Sequence, residues 1–155
     1  MVTGFQYISS GEGKISTMSS GYQHISFGGT GMIETMSGGA QYINSGCTGI
    51  IDKVSNGVLH IKDGGSGVVS TMSGGIQDIS SGGSGTISTM SGGSQYISSG
   101  GIGTVSTMND GQQTISSGGE GTVSTMSGGL QDIFGGGTGT VSTMSCLLYT
   151  SPSPR

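Results

Sequence analysis

The residues able to do chemistry are few in this chain of 155 residues, and they do not converge. It has two histidines, His24 and His60, eight acidic side chains, four Lys or Arg residues and two cysteines, Cys47 and Cys146. The histidines occupy the same slot of a sequence repeat, two copies apart. If each copy rises by one strand spacing, they stand about 10 Å from each other, too far to share a metal ion. Serine is abundant, so Ser-His-Asp combinations arise cheaply and specify no triad. "GGSGTI" (82–87) is close to the calcium-binding nonapeptide G-G-x-G-x-D, but its aspartate slot holds Ile or Val in each copy from Ile33 to Val141. The same glycines lack the Lys-Ser/Thr pair and following helix of a phosphate-binding loop. The reading is therefore of a protein that is not an enzyme and holds no cofactor or metal.

Elements built by repetition carry these residues. Methionine recurs at 18, 36, 72, 90, 108, 126 and 144, with Val54 in the remaining slot. Isoleucine follows seven residues after each slot, from Ile25 to Ile133, with Ile8 following Met1. A β-branched aliphatic precedes each slot by three, from Ile15 to Val141. Two glycine columns accompany them, one through Gly21, Gly57 and Gly93 and one through Gly13, Gly49 and Gly85. Glycine required in each copy implies a corner of positive φ or a close approach of chain to chain. Between the glycines, short segments such as "IQDIS" and "GTVST" alternate with period two, the signature of strands.

Short strands and glycine corners at a fixed period predict an all-β fold: a right-handed parallel β-helix, or β-solenoid, of about eight 18-residue rungs over residues 1–145. The right hand follows from the near-universal hand of parallel crossovers. Eight rungs at about 4.8 Å make a rod of roughly 38 Å. The column Gln6, Gln23, Gln41, Gln77, Gln95, Gln113 and Gln131 is interrupted by Leu59, which predicts that it faces inward as an amide ladder. Lys53 in a threonine column predicts that this column faces solvent or sits at a bend. Cys47 takes a glycine position, some five rungs and about 25 Å from Cys146, beyond disulfide reach.

Composition narrows the function classes. Hydrophobic residues make up 30%, charged residues 8%, and 35 glycines stand beside no tryptophan. Ordinary domains carry roughly 45–50% apolar and about 25% charged residues, so the composition argues against a compact single-core domain. A net charge of −4 and a pI near 4.7 argue against nucleic acid and anionic membrane as partners. No run of about 18 apolar residues exists to span a bilayer as a helix, and "MVTGFQYISS" lacks the basic and apolar regions of a signal peptide. One variable column, Tyr7, His24, Tyr42, His60, Asp78, Tyr96, Thr114 and Asp132, is expected to face out. Its aromatic members Tyr7, His24, Tyr42, His60 and Tyr96 form the candidate interaction strip, where a partner chain or a glycan would stack. Exposed aromatics are also simply good strand formers.

The repeated "SGGxQxIxxGGxGT" resembles the AIDA-type repeat of autotransporter adhesin passengers, over residues 1 to about 145. The resemblance implies a right-handed β-helical stalk on a Gram-negative cell surface, part of a larger protein, supporting adhesion and self-association. Many members of that family are glycosylated on Ser or Thr. Here the period is one residue shorter, methionine often stands where the family prefers valine, and glycine replaces its frequent alanine after the second Gly-Gly pair. Residues 146–155, "CLLYTSPSPR", obey no column and resemble a translated sequencing-adaptor tail, which marks the chain as an environmental fragment. Met1 falls in the Met slot and reads as an internal methionine. A competing function is a ligand- or ice-binding solenoid, suggested by the outward column Thr86, Thr104, Thr122 and Thr140. Lys14, Met32, Ile50 and Val68 fill the other half of that column.

Overall fold

A computed structural model describes residues 3–145, in which every regular element is a β-strand. In chain order the strands are β1 (Phe5–Ile8), β2 (Glu12–Met18), β3 (Tyr22–Ile25), β4 (Thr30–Met36), β5 (Ala40–Ile43), β6 (Thr48–Val54) and β7 (Val58–Ile61). They continue with β8 (Ser66–Met72), β9 (Ile76–Ile79), β10 (Ser84–Ile97), β11 (Ile102–Ile115), β12 (Glu120–Met126), β13 (Leu130–Ile133) and β14 (Thr138–Met144). Each turn of the chain supplies a seven-residue arm and a four-residue arm; in β10 and β11 the two run on as one strand. All pairings are parallel, between a strand and its equivalent one turn away. The chain is a β-solenoid of about eight turns. Cys146 and the rest of 146–155, like Met1, lie outside the described residues.

Register follows the repeat. Met90 stands opposite Met72 and Met108, and Gln95 opposite Gln77 and Gln113. The first turn is one residue shorter: Gln6 pairs with Gln23, because Ser9, Ser10 and Gly11 do the work of four residues elsewhere. In the four-residue arms alternate side chains point inward, as in β3, where Gln23 and Ile25 are buried and Tyr22 and His24 face out. The seven-residue arms break that alternation once. Ile87 and Met90 are both buried although three apart, so the chain bends at Ser88 and Thr89, both of which face outward. Lys53 sits in this bend column, exposed, as its charge requires.

Three aliphatic columns form the core, with Ile25, Met36, Ile51, Ile61, Ile87 and Met108 all fully buried. The glutamine column lies beside them. Gln23, Gln41, Gln77, Gln95 and Gln113 are completely buried, each a costly placement unless its amide is bonded. Gln41 Nε2 donates to Gln23 Oε1 at 2.5 Å, and Gln95, Gln113 and Gln131 donate likewise to the preceding amide at 2.6 Å. Most of these amides also donate to the carbonyl of a glycine on the opposite arm, as Gln41 does to Gly31 at 3.2 Å. The ladder is directional, with every amide-to-amide bond donated toward the N-terminal rung.

The two glycine columns serve the two purposes read from the sequence. At Gly93 the backbone has φ +81°, and a Cβ would stand 2.8 Å from the Gly75 carbonyl oxygen of the rung below. At Gly85 φ is unexceptional, but a Cβ would sit 2.4 Å from Ile79 Cδ1 and 2.7 Å from Gln77 Oε1. Glycine there lets the opposite arm's side chains fill the interior.

In six of the turns a third corner closes through two consecutive residues of positive φ, as at Ser99 (51°) and Gly100 (74°), with Gly101 N donating to Ser98 O at 2.9 Å. This is the I′ geometry, in which the first residue is rarely anything but Gly, Asn or Asp. Phe27 occupies that first position at φ 52°, its ring 86% exposed. Cys47 replaces the closing glycine and is buried, its thiol donating to Ser45 O at 3.4 Å. In that turn Ser45 is not in the left-handed region, unlike Phe27, Asp63, Ser81, Ser99 and Ser117. At the equivalent Gly65 a Cβ would come within 2.8 Å of Asn44 O, so the cysteine side chain is accommodated by a different turn.

Candidate interaction surface

The outward positions of the four-residue arms form two parallel columns on one face. Alternation presents residues two apart, so Tyr22 and His24 of β3 both emerge while Gln23 and Ile25 anchor the strand below them. Parallel register then stacks like positions from rung to rung.

Four of the five strip residues expected from the sequence come together. Tyr7 and His24 rings have centroids 5.9 Å apart, His24 and Tyr42 6.1 Å, and Tyr42 and His60 4.9 Å with planes within 10°. His60 Nδ1 lies 3.2 Å from Asp78 Oδ2, which ends the aromatic run with a carboxylate. Asn44 Nδ2 donates to His24 Nε2 at 3.2 Å and to Ile25 O at 3.1 Å, fixing that ring's orientation. Tyr96 is in the same column but not in the cluster: Asp78 stands between it and His60 in the register. Its ring is 40% exposed.

Two members were missed by following one column only. Phe5 and Tyr22 occupy the neighbouring outward column, with centroids 4.5 Å apart, and Tyr22 meets Tyr42 edge-on at 6.1 Å. The period-two alternation of "FQYI" and "YQHI" carried the signal, since residues two apart in a strand share a face. Tyr7, Tyr22, His24 and Tyr42 together line a shallow trough. Each ring presents an apolar face with a polar edge, the combination suited to contact surfaces that remain wet.

The seven-residue arms present a different face. Thr86, Thr104, Thr122 and Thr140 stand in register, as do Lys14, Met32, Ile50 and Val68 in the other half. Lys14 Nζ contacts Glu34 at 2.8 Å, and this hydrogen bond raises the lysine pKa and lowers that of the glutamate. Both side chains are well exposed, so solvent screens the pair and it adds little to stability. His24 and His60 are separated by the Tyr42 ring, and among the described residues no three His, Cys, Asp or Glu side chains gather in one place. No family model, curated protein or solved structure matches the chain.

Proposed function

We propose that this solenoid is a structural, adhesive stalk segment of a secreted bacterial surface protein, acting through lateral contacts with a second copy or a host surface. The observation that carries the reading is the contiguous patch of Phe5, Tyr7, Tyr22, His24, Tyr42 and His60 on one face. A monomer needs no such patch for its own core, which lies on the other side of these strands. Low charge leaves little repulsion between two rods brought side by side. The likeness of the repeat to AIDA-type passengers supports placement at a Gram-negative cell surface as part of a larger protein.

Sedimentation over a wide concentration range tests this against the triple variant Tyr7→Ser, Tyr22→Ser, Tyr42→Ser. The expected result is reversible association of the native chain that weakens on the triple substitution. Association indifferent to the substitution would move the contact elsewhere. A native chain monomeric throughout would end the self-association reading and leave a host surface or glycan as the partner of the strip.

The in-register threonines favour a second reading, a ligand- or ice-binding face. Thermal hysteresis measured on the native chain separates the two, because a stalk has no effect on ice growth.

A further inference from the structure

The corner between β6 and β7 holds Asn56 followed by Gly57, and we infer that it is a site of spontaneous covalent modification: Asn56 deamidates in the folded protein. Asn56 is exposed, and Gly57 N donates to its Oδ1 at 2.9 Å. That contact holds the backbone nitrogen beside the Cγ carbonyl it would attack, while among the described residues no backbone carbonyl accepts from it. Glycine offers the nitrogen no side-chain hindrance. Such placement is what raises the rate of an intramolecular reaction.

The chemistry needs only hydroxide and water. Gly57 N gives its proton to hydroxide and attacks Asn56 Cγ; the N–Cγ bond forms, the Cγ–Nδ2 bond breaks, and Nδ2 leaves as ammonia with a proton from water. Water then opens the cyclic imide. Cleavage of N–Cγ restores the backbone with an aspartate side chain, and cleavage at the main-chain carbonyl gives isoaspartate, with one extra backbone carbon.

A second corner shows which product the fold accepts. Asp110 occupies the equivalent position three rungs on, and Gly111 N donates to its Oδ1 at 2.8 Å. The following glycines match too: φ is 104° at Gly57 and 99° at Gly111, against 80–85° at Gly21, Gly39, Gly75, Gly93 and Gly129. Aspartate at position 56 therefore inherits a geometry the solenoid already uses. Isoaspartate does not, because the Gly39 and Gly75 corners pack against this one from either side.

The test incubates the full chain at mildly alkaline pH, folded and in parallel unfolded in urea, and follows amide-to-acid conversion at each asparagine by peptide mass spectrometry. In the folded chain Asn56 should convert on the order of tenfold faster than Asn44 and Asn109. Its rate should be no slower than in urea. Protection of Asn56 by folding, or equal rates at Asn44 or Asn109, would overturn the inference. The variant Asn56→Asp should melt with the native chain; a clear loss of stability would overturn the claim that the corner accepts the aspartate product.

Discussion

The glutamine ladder shows how single side chains decide the order of this interior. Leu59 fills the slot between Gln41 and Gln77, and it can neither donate nor accept. Gln41 Oε1 and Gln77 Nε2 are left buried without partners, one on each side of it. Leu59→Gln should join the two half-ladders through two new amide bonds. Each satisfied buried group is worth about 1–3 kcal/mol, so a net gain of about 1 kcal/mol is expected after the lost leucine burial. Denaturant midpoints measure it, and a fall would show that leucine packing outweighs the amides. Phe27 offers the other correction. Left-handed backbone costs a bulky residue about 1–2 kcal/mol, and asparagine tolerates it, so Phe27→Asn should stabilise by about 1 kcal/mol in a thermal melt. No gain would mean that the ring makes contacts that offset its strain.

At the scale of the element, corners rather than strands set the limits on sequence. Gly93 and Gly100 both have positive φ, yet a Cβ at Gly100 meets nothing within 4 Å while one at Gly93 meets backbone at 2.8 Å. Gly100→Ala should cost about 1 kcal/mol of backbone strain alone. Gly93→Ala should cost clearly more, because two rungs must separate. Equal losses in urea unfolding would show that conformation, not contact, governs both sites.

The sequence made most of this legible because parallel stacking in register converts a repeat into columns. Column identity revealed the inward Met, Ile and Gln positions, and Lys53 marked the bend. Three things were not legible. Phe5 and Tyr22 belong to the patch by a contact between columns, which no single column displays. Tyr96 shares a column with the patch but is cut off from it by Asp78. The Cys47 turn departs in Ser45's φ from the six with a left-handed pair, and the carbonyl that a Cβ would meet at the equivalent Gly65 is a contact that the period does not display.

For the whole molecule, no rung has a core of its own. The first seven each bury three aliphatics against neighbouring rungs, while the last leaves Ile133 and Met144 about half exposed, so stability resides in the stack. The most direct measurement compares the melting temperatures of Ile97→Asp and Tyr96→Asp, neighbours in one strand with opposite facings. Ile97 is 1% exposed and Tyr96 40%. Aspartate at 97 places an unpartnered charge among Ile79, Ile115 and the glutamines in mid-stack, which should lower the melting temperature sharply or prevent folding. Aspartate at 96 should leave the melt close to that of the native chain. Equal losses from the two substitutions would contradict the division between a stacked interior and a surface free to bind.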